Sequence, residues 1–548
     1  MMFPHLIVLA ATALLGSAAP DPGPGSPAIP AQSRSPADTV PLYTNLGTHH
    51  KRISTRVPAA QQYFDQGLRL AYGFNHAEAI RSFRRAAELD SACAMCYWGI
   101  ALAHGPHVNA PMDSASGVAA YAAVQKALSL KSGATAQERA YIDAVAQRYA
   151  AVPPADRARL DTLYSRAMGQ VAGAYPDDLD AATLYAEALM DLRPWNYWRP
   201  DGTPYAGTDE IVRQLQRVIA RNPDHPGACH YYIHAVEAVN PAAAVPCAER
   251  LARLMPGEGH MVHMPAHIYI RVGRWNDAVT ANQHAIHTDE VFIEGQRPVG
   301  VYPLAYYPHN IHFLAFASTM AGRSAPAIEA AHALAAKVNL DAARHVGMLQ
   351  EMLPYHALTL TTFGRWDDVL AEPLPPADIR FPYAMAYYAR GVAYAAKGLW
   401  ADAQAALDTV TAINAATPAD ADAKTPLAIA VHALLGEIAT RRGDVAAGIG
   451  HFREAAAIED AGLYFEPPKW YYPIRHSLGA ALLRAGRNAE AEAAYREDLR
   501  RFPENGWSLF GLAQALRAQG KNAEAAGVDA RFRKAWADAD VTLTASRF

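Results

Sequence analysis

From about Val57 to the end of the chain, apolar residues recur at helical spacing, and one theme returns many times. An apolar-periodic helix runs into a Gly-x-aromatic-or-polar turn, and a second helix opens on Glu/Asp-Ala or a close variant. The first clear copy is Asn75-His76-Ala77-Glu78-Ala79, followed by Phe83, Ala86 and Asp90. The turn recurs as Gly273–Ala278, Gly322–Ala327, Gly364–Asp368, Gly398–Ala403, Gly486–Ala491 and Gly520–Ala525, and the Gly486 copy continues to Tyr495 and Pro503. Alternating apolar and polar runs of the kind that make strands are nearly absent. Two stretches break the beat: Arg193–Tyr205, reading RPWNYWRPDGTPY, and Thr288–Pro308, ending in YPLAYYP. Long aromatic insertions in a regular array are seldom mere spacers. Residues 115–180 are helical in pattern but match the repeat poorly.

These copies, with small residues where helices touch, an aromatic in the second helix and Pro at the exit, make the chain resemble tetratricopeptide repeat (TPR) proteins from about residue 58 onward. The resemblance implies an all-α, TPR-type helical-repeat solenoid, a right-handed superhelix of antiparallel helix pairs whose first helices face a concave groove. Such a groove would take a small-molecule or peptide ligand, or a partner protein. At 548 residues the chain is too long for one compact globule, which suits a repeat array. We divide it into residues 57–340, an N-terminal array with a His-rich groove, and 341–540, a C-terminal array.

Before the repeats, Leu6 to Leu15 is an apolar run followed by Gly16, Ser17, Ala18 and Ala19, which reads as a signal peptide over residues 1–18. Residues 19–56 then form a Pro/Gly/Ser-rich lead-in outside the fold. A periplasmic or secreted protein is expected, with no membrane span after cleavage. Cys93, Cys96, Cys229 and Cys247 are an even number in a chain leaving the reducing cytoplasm. Cys93 and Cys96 could be a redox pair or a bridge, and Cys229 could bridge to Cys247. Buried free thiols are the alternative. The net charge of -4 and pI near 6.6 offer no basic face, so nucleic acid is not an expected partner.

Histidine carries the candidate chemistry. Ten of the 22 histidines fall between His225 and His312. Three groups have spacings of three or four that put imidazoles on one helix face: His230 and His234; His260, His263 and His267; His309 and His312. His260, His263 and His267 lie 18, 15 and 11 residues before Ala278, and His309 and His312 lie 18 and 15 before Ala327. They therefore occupy the same places in consecutive repeats. His230 and His234 belong to the repeat before, one place out of register, with Glu237 on their face. In TPR proteins those first-helix places look into the groove, so the resemblance implies that these side chains point inward.

Neutral imidazole suits copper or zinc best in an exported protein, and iron is also compatible. Seven candidates exceed the four ligands of a closed zinc site, which points to a two-metal or open site. Glu237 is a candidate ligand or general base, and Trp195, Trp198, Tyr307 and Asn310 are candidates for a lid or substrate contacts. Tyr231 and Tyr269 are weaker ones. His476 is read as a packing or substrate-contact residue, Glu351 as a carboxylate that could reach the groove, His76 as a capping or packing residue, and His104 and His107 as loop residues with no assigned partner. The sequence has no HExxH, Gly-rich phosphate loop, G-x-S-x-G elbow or Rossmann fingerprint. The strings HYYIHAVE and GHMVHMPAHIY resemble segments of uncharacterised exported bacterial TPR proteins, which implies a subfamily but no reaction. Three functions stand: a metal-dependent enzyme (an oxidoreductase or a zinc hydrolase), a non-catalytic interaction scaffold, and a metal capture or delivery protein.

Overall fold

The computed structural model describes residues 40–298 and 300–548; the expected signal peptide lies outside them. The fold class is all-α, built from successive antiparallel helix pairs. Among the described residues, bridging of the β type is confined to the isolated pairs His107–Ala110 and Trp198–Pro204. No helix among them is long and apolar enough to cross a membrane.

The first pair shows why this sequence makes this unit. Helix Pro58–Tyr72 starts on a proline, where the missing N–H costs nothing. The chain turns through Gly73 and Phe74, and Asn75 caps helix His76–Leu89 by accepting the Glu78 N–H. So short a turn forces the helices antiparallel. Close approach is set by small residues around one aromatic. A Cβ on Gly67 would stand 2.7 Å from the Phe83 ring, and one on Gly99 would stand 2.4 Å from it. Tyr495 is held in the same way between Gly479 and Gly511, at the same spacing of 16 residues on each side. Changing Gly99 to Ala should therefore destabilise by about 1–3 kcal/mol, since the Phe83 ring is fully buried and cannot move aside. Gly173→Ala, where a Cβ meets nothing within 4 Å, is the control; urea titration of both variants is the check.

The chain forms two compact units. The first holds residues 40–268 and His284–Tyr307; the second holds Tyr269–Gln283 and Pro308–Phe548. The division expected at residue 340 instead falls inside the second unit. The reason is a set of long-range contacts that no periodicity announces: the Trp275 indole N–H donates to the Pro503 carbonyl at 2.9 Å, and Asn276 donates to Asp538 at 2.8 Å. The C-terminal tail is also tied in, with the Ser324 and Ala325 N–H groups donating to Asp540.

Within the first unit the array closes on itself. Helix Pro58–Tyr72 packs against helix Pro226–Val236, where a Cβ on Gly227 would lie 2.4 Å from the Tyr72 ring. Residues 40–56, expected to lie outside the fold, also pack on this unit. Tyr43 N–H donates to Gln66 at 2.8 Å, Arg69 donates to the His49 carbonyl at 2.6 Å, and Lys51 pairs with Asp178 at 2.9 Å. Two of these three bonds use the segment's backbone, which composition does not announce. Cys93 and Cys96 form a disulfide, whereas Cys229 and Cys247 are buried free thiols.

Candidate metal centre

Five of the seven candidate histidines belong to the first unit. Helix Pro226–Val236 carries His230 and His234 one turn apart. The next group straddles a break: helix Gly259–His263 ends at Met264, and Pro265 opens helix Pro265–Arg271, which carries His267. All five imidazoles are 0–3% exposed, and so is Glu237.

The hydrogen bonds fix the proton on three of the five rings. The Tyr72 carbonyl can only accept, so the His230 Nδ1 2.6 Å away carries the hydrogen. Glu237 receives His234 Nδ1 on one oxygen at 3.3 Å and His267 Nδ1 on the other at 2.9 Å. Burial works against the charge of that carboxylate, but His267 and His234 outweigh it and hold its pKa at about 2. Being ionised, it too only accepts. In neutral rings the Nε2 atoms of His230, His234 and His267 therefore carry bare lone pairs.

Those lone pairs converge. His230 Nε2 lies 3.1 Å from His234 Nε2, and His267 Nε2 lies 2.8 Å from His263 Nε2. His260 completes the first group: one nitrogen from each of His230, His234 and His260 lies within 4.8 Å of the others. Both ring nitrogens of His260 are buried without a hydrogen-bond partner. Between His230 and His234 a shared proton could relieve the opposed lone pairs only by making an imidazolium, whereas a neutral His263 can donate its Nε2–H to the bare His267 Nε2. Burial first, and the neighbouring histidines next, hold His230 and His260 well below the usual histidine range. A metal ion removes the conflict. With metal–nitrogen bonds of about 2.0–2.1 Å, nitrogens 2.8–3.1 Å apart subtend roughly 85–100° at a shared ion.

Aromatic rings wall the donors in. Phe74 lies 4.5 Å from His230, 6.0 Å from His234 and 5.7 Å from His260 between ring centroids, and Tyr306 lies 4.6 Å from His260. Trp195 stands edge-on to His234 at 4.9 Å and is 41% exposed, the outermost of these rings. Phe74 and Trp195 both have positive φ, 59° and 62°, conformations that cost a non-glycine residue free energy and cluster at functional sites. Trp198 is pinned by its indole N–H to the Ala235 carbonyl at 2.7 Å, on the helix that carries His234.

Tyr307 is turned to Glu290, to which it donates at 2.7 Å. His309, Asn310 and His312 sit on helix Tyr307–Met320, and Pro308 onward belongs to the second unit. There His309 lies 5.3 Å from Phe313, and His312 packs edge-on to Tyr355 at 4.3 Å. Burial lowers the His312 pKa to about 3. The residues that sequence reasoning missed are Tyr72, Phe74 and Glu258. Glu258 is buried beside Asn75, which donates to it at 3.2 Å, and burial pushes its carboxyl up to about 8. His107, set aside earlier, stacks on Phe74 at 4.3 Å. The turn at residues 73–75 was visible as a repeat turn, but nothing in it signals that Phe74 would reach helices more than 150 residues away.

No protein-family model and no curated protein sequence matches this chain. Among solved structures it is similar to a human IFIT1 dimer with PPP-AAAA, at 12% identity over 86% of this chain and 89% of that one, with a TM-score of 0.30. It is likewise similar to yeast Tom70, at 12% identity over 89% of this chain and 93% of that one, with a TM-score of 0.29.

Proposed function

We propose that the first unit is a metal-binding module that holds a transition metal on His230, His234 and His260, with His263 and His267 as the start of an adjacent second position. The observation that carries this reading is the pair of bare Nε2 atoms 3.1 Å apart, forced on His230 and His234 by acceptors behind each ring. Copper or zinc fits an all-imidazole donor set best. Between the two enzyme classes, the use of Glu237 favours redox chemistry. Both of its oxygens orient imidazoles, which makes it a positioning residue and leaves it unavailable as the base a zinc hydrolase would use. The function proposed is therefore a copper-type oxidoreductase, periplasmic or secreted. The Cys93–Cys96 disulfide suits that compartment.

A second reading, metal capture or delivery, draws on the near-complete burial of the donors, which would retain an ion without turnover. Reduction of the copper-loaded protein by ascorbate and reoxidation by dioxygen over repeated cycles belongs to the enzyme reading; a single exchange without cycling belongs to the carrier. A scaffold that binds a peptide without chemistry is the remaining alternative. The test common to all three is titration of metal-depleted protein with Cu2+ or Zn2+. The His230→Ala/His234→Ala double variant should lose the tightest equivalent. Binding equal to that of the unaltered protein would overturn the ligand set.

A further inference from the structure

A second convergence of imidazoles lies in the same unit, outside the cluster described above. His49 Nε2 is 2.8 Å and His225 Nε2 3.3 Å from a single oxygen, Asp180 Oδ1. The two rings are 4.6 Å apart between centroids, and the Tyr72 hydroxyl donates to the same oxygen at 2.6 Å. The three side chains line a cavity of about 340 Å³, together with Thr48, His50 and Asn222 among others. His49 and Asp180 are 12% and 10% exposed, so this group is open to solvent where the first is sealed. Lys51 pairs with Asp178 at 2.9 Å and approaches Asp180 at 3.7 Å. Two carboxylates facing one ammonium leave a net negative charge at the imidazoles.

We propose that His49, Asp180 and His225 form a second, exchangeable site for a divalent transition metal. One ligand atom from each lies within 4.8 Å of the others. Two imidazoles and a carboxylate, with cavity water completing the shell, are the donor set of an open zinc-type site. The chemistry of His225 sets its strength. His225 caps helix Pro226–Val236, its Nδ1 accepting the Ala228 N–H at 3.2 Å, so the metal-free ring keeps its hydrogen on Nε2. An ion at Nε2 moves that hydrogen to Nδ1 and displaces the cap. Losing the cap lowers affinity on the order of fivefold, so this site binds more weakly than the pre-set Nε2 pairs of His230 and His234, whose Nδ1 hydrogens already have acceptors. The two clusters thus differ in kind: one holds an ion, the other exchanges it with solvent.

His225→Asn separates ligation from capping, because the Asn carboxamide can still accept the Ala228 N–H but offers no imidazole. Metal-depleted full-length protein without affinity-tag histidines is titrated with Zn2+ by calorimetry. The His230→Ala/His234→Ala background should retain a weaker equivalent. Adding His225→Asn or His49→Asn to that background should weaken this equivalent about tenfold or more. Absence of a weaker equivalent in the unaltered protein and in this background overturns the proposal, and so does its survival unchanged in both added variants. His49 lies outside any helix, so His49→Asn keeps the test readable should His225→Asn disturb the fold. The outcome is independent of the buried cluster: failure there would appear as no loss in the His230→Ala/His234→Ala protein, whereas failure here appears only with His49 and His225.

Discussion

Replacing Glu237 by Gln is expected to lower metal affinity by about 10- to 100-fold, the range typical of removing a residue that orients a ligating histidine. A carboxamide of nearly the same size has one oxygen to accept and one nitrogen that can only donate. One of His234 and His267 then loses its Nδ1 acceptor, and with it the constraint that keeps the Nε2 lone pair turned to its partner. The thermal midpoint of the metal-free variant should stay close to that of the unaltered protein, because Gln fills the same space. Competition with a chelator reads the affinity. An unchanged affinity would mean that Glu237 does not set the tautomers.

Arg148→Ala should cost about 3–5 kcal/mol, as is usual when one partner of a buried ionic cluster is removed. Arg148 is 1% exposed and donates to Asp191 at 2.6 Å and to the Pro106 carbonyl at 2.8 Å, with Glu187 at 3.5 Å. Its guanidinium also lies over the Tyr164 ring, 4.5 Å from the centroid. Burial already pushes the Asp191 and Glu187 carboxyls up, and the guanidinium works against that in both. Without it, their folded pKa values rise further above the unfolded ones. Acids with raised folded pKa values contribute most stability below the unfolded pKa and lose it as pH rises through the folded one. The deficit should therefore be larger at pH 8 than at pH 5, as urea titration at the two values would read. A loss below 1 kcal/mol, or one that grows on acidification, would contradict this.

Much of the fold was legible because a repeat writes its contacts at fixed spacing. Phe83 and Tyr495, singled out in the sequence, each pack between two glycines of neighbouring helices. Closure was not legible. The packing of Tyr72 on Gly227 and of Trp275 against Pro503 joins distant residues whose neighbours along the chain keep an ordinary apolar pattern. The site shows the same division. The spacing of His230 and His234 foretold facing imidazoles, since residues four apart share a helix face. The identity of their hydrogen acceptors did not follow, because one is a backbone carbonyl and any residue supplies that. Glu237 was visible on the face of His230, but its spacing does not say that both its oxygens are occupied. His225 read as one histidine among ten; its place at a helix start marks it as a cap, and its meeting with His49 and Asp180 depends on the first segment folding back.

On the proposed reading, the opposed Nε2 atoms of His230 and His234 hold a metal. Its most direct test is metal quantification on full-length protein purified without added metal and without affinity-tag histidines, followed by titration of a chelator-stripped sample. The expected result is about one equivalent or more of copper or zinc as isolated, and tight uptake after stripping. Well under one equivalent as isolated, with no tight uptake on titration, would contradict it.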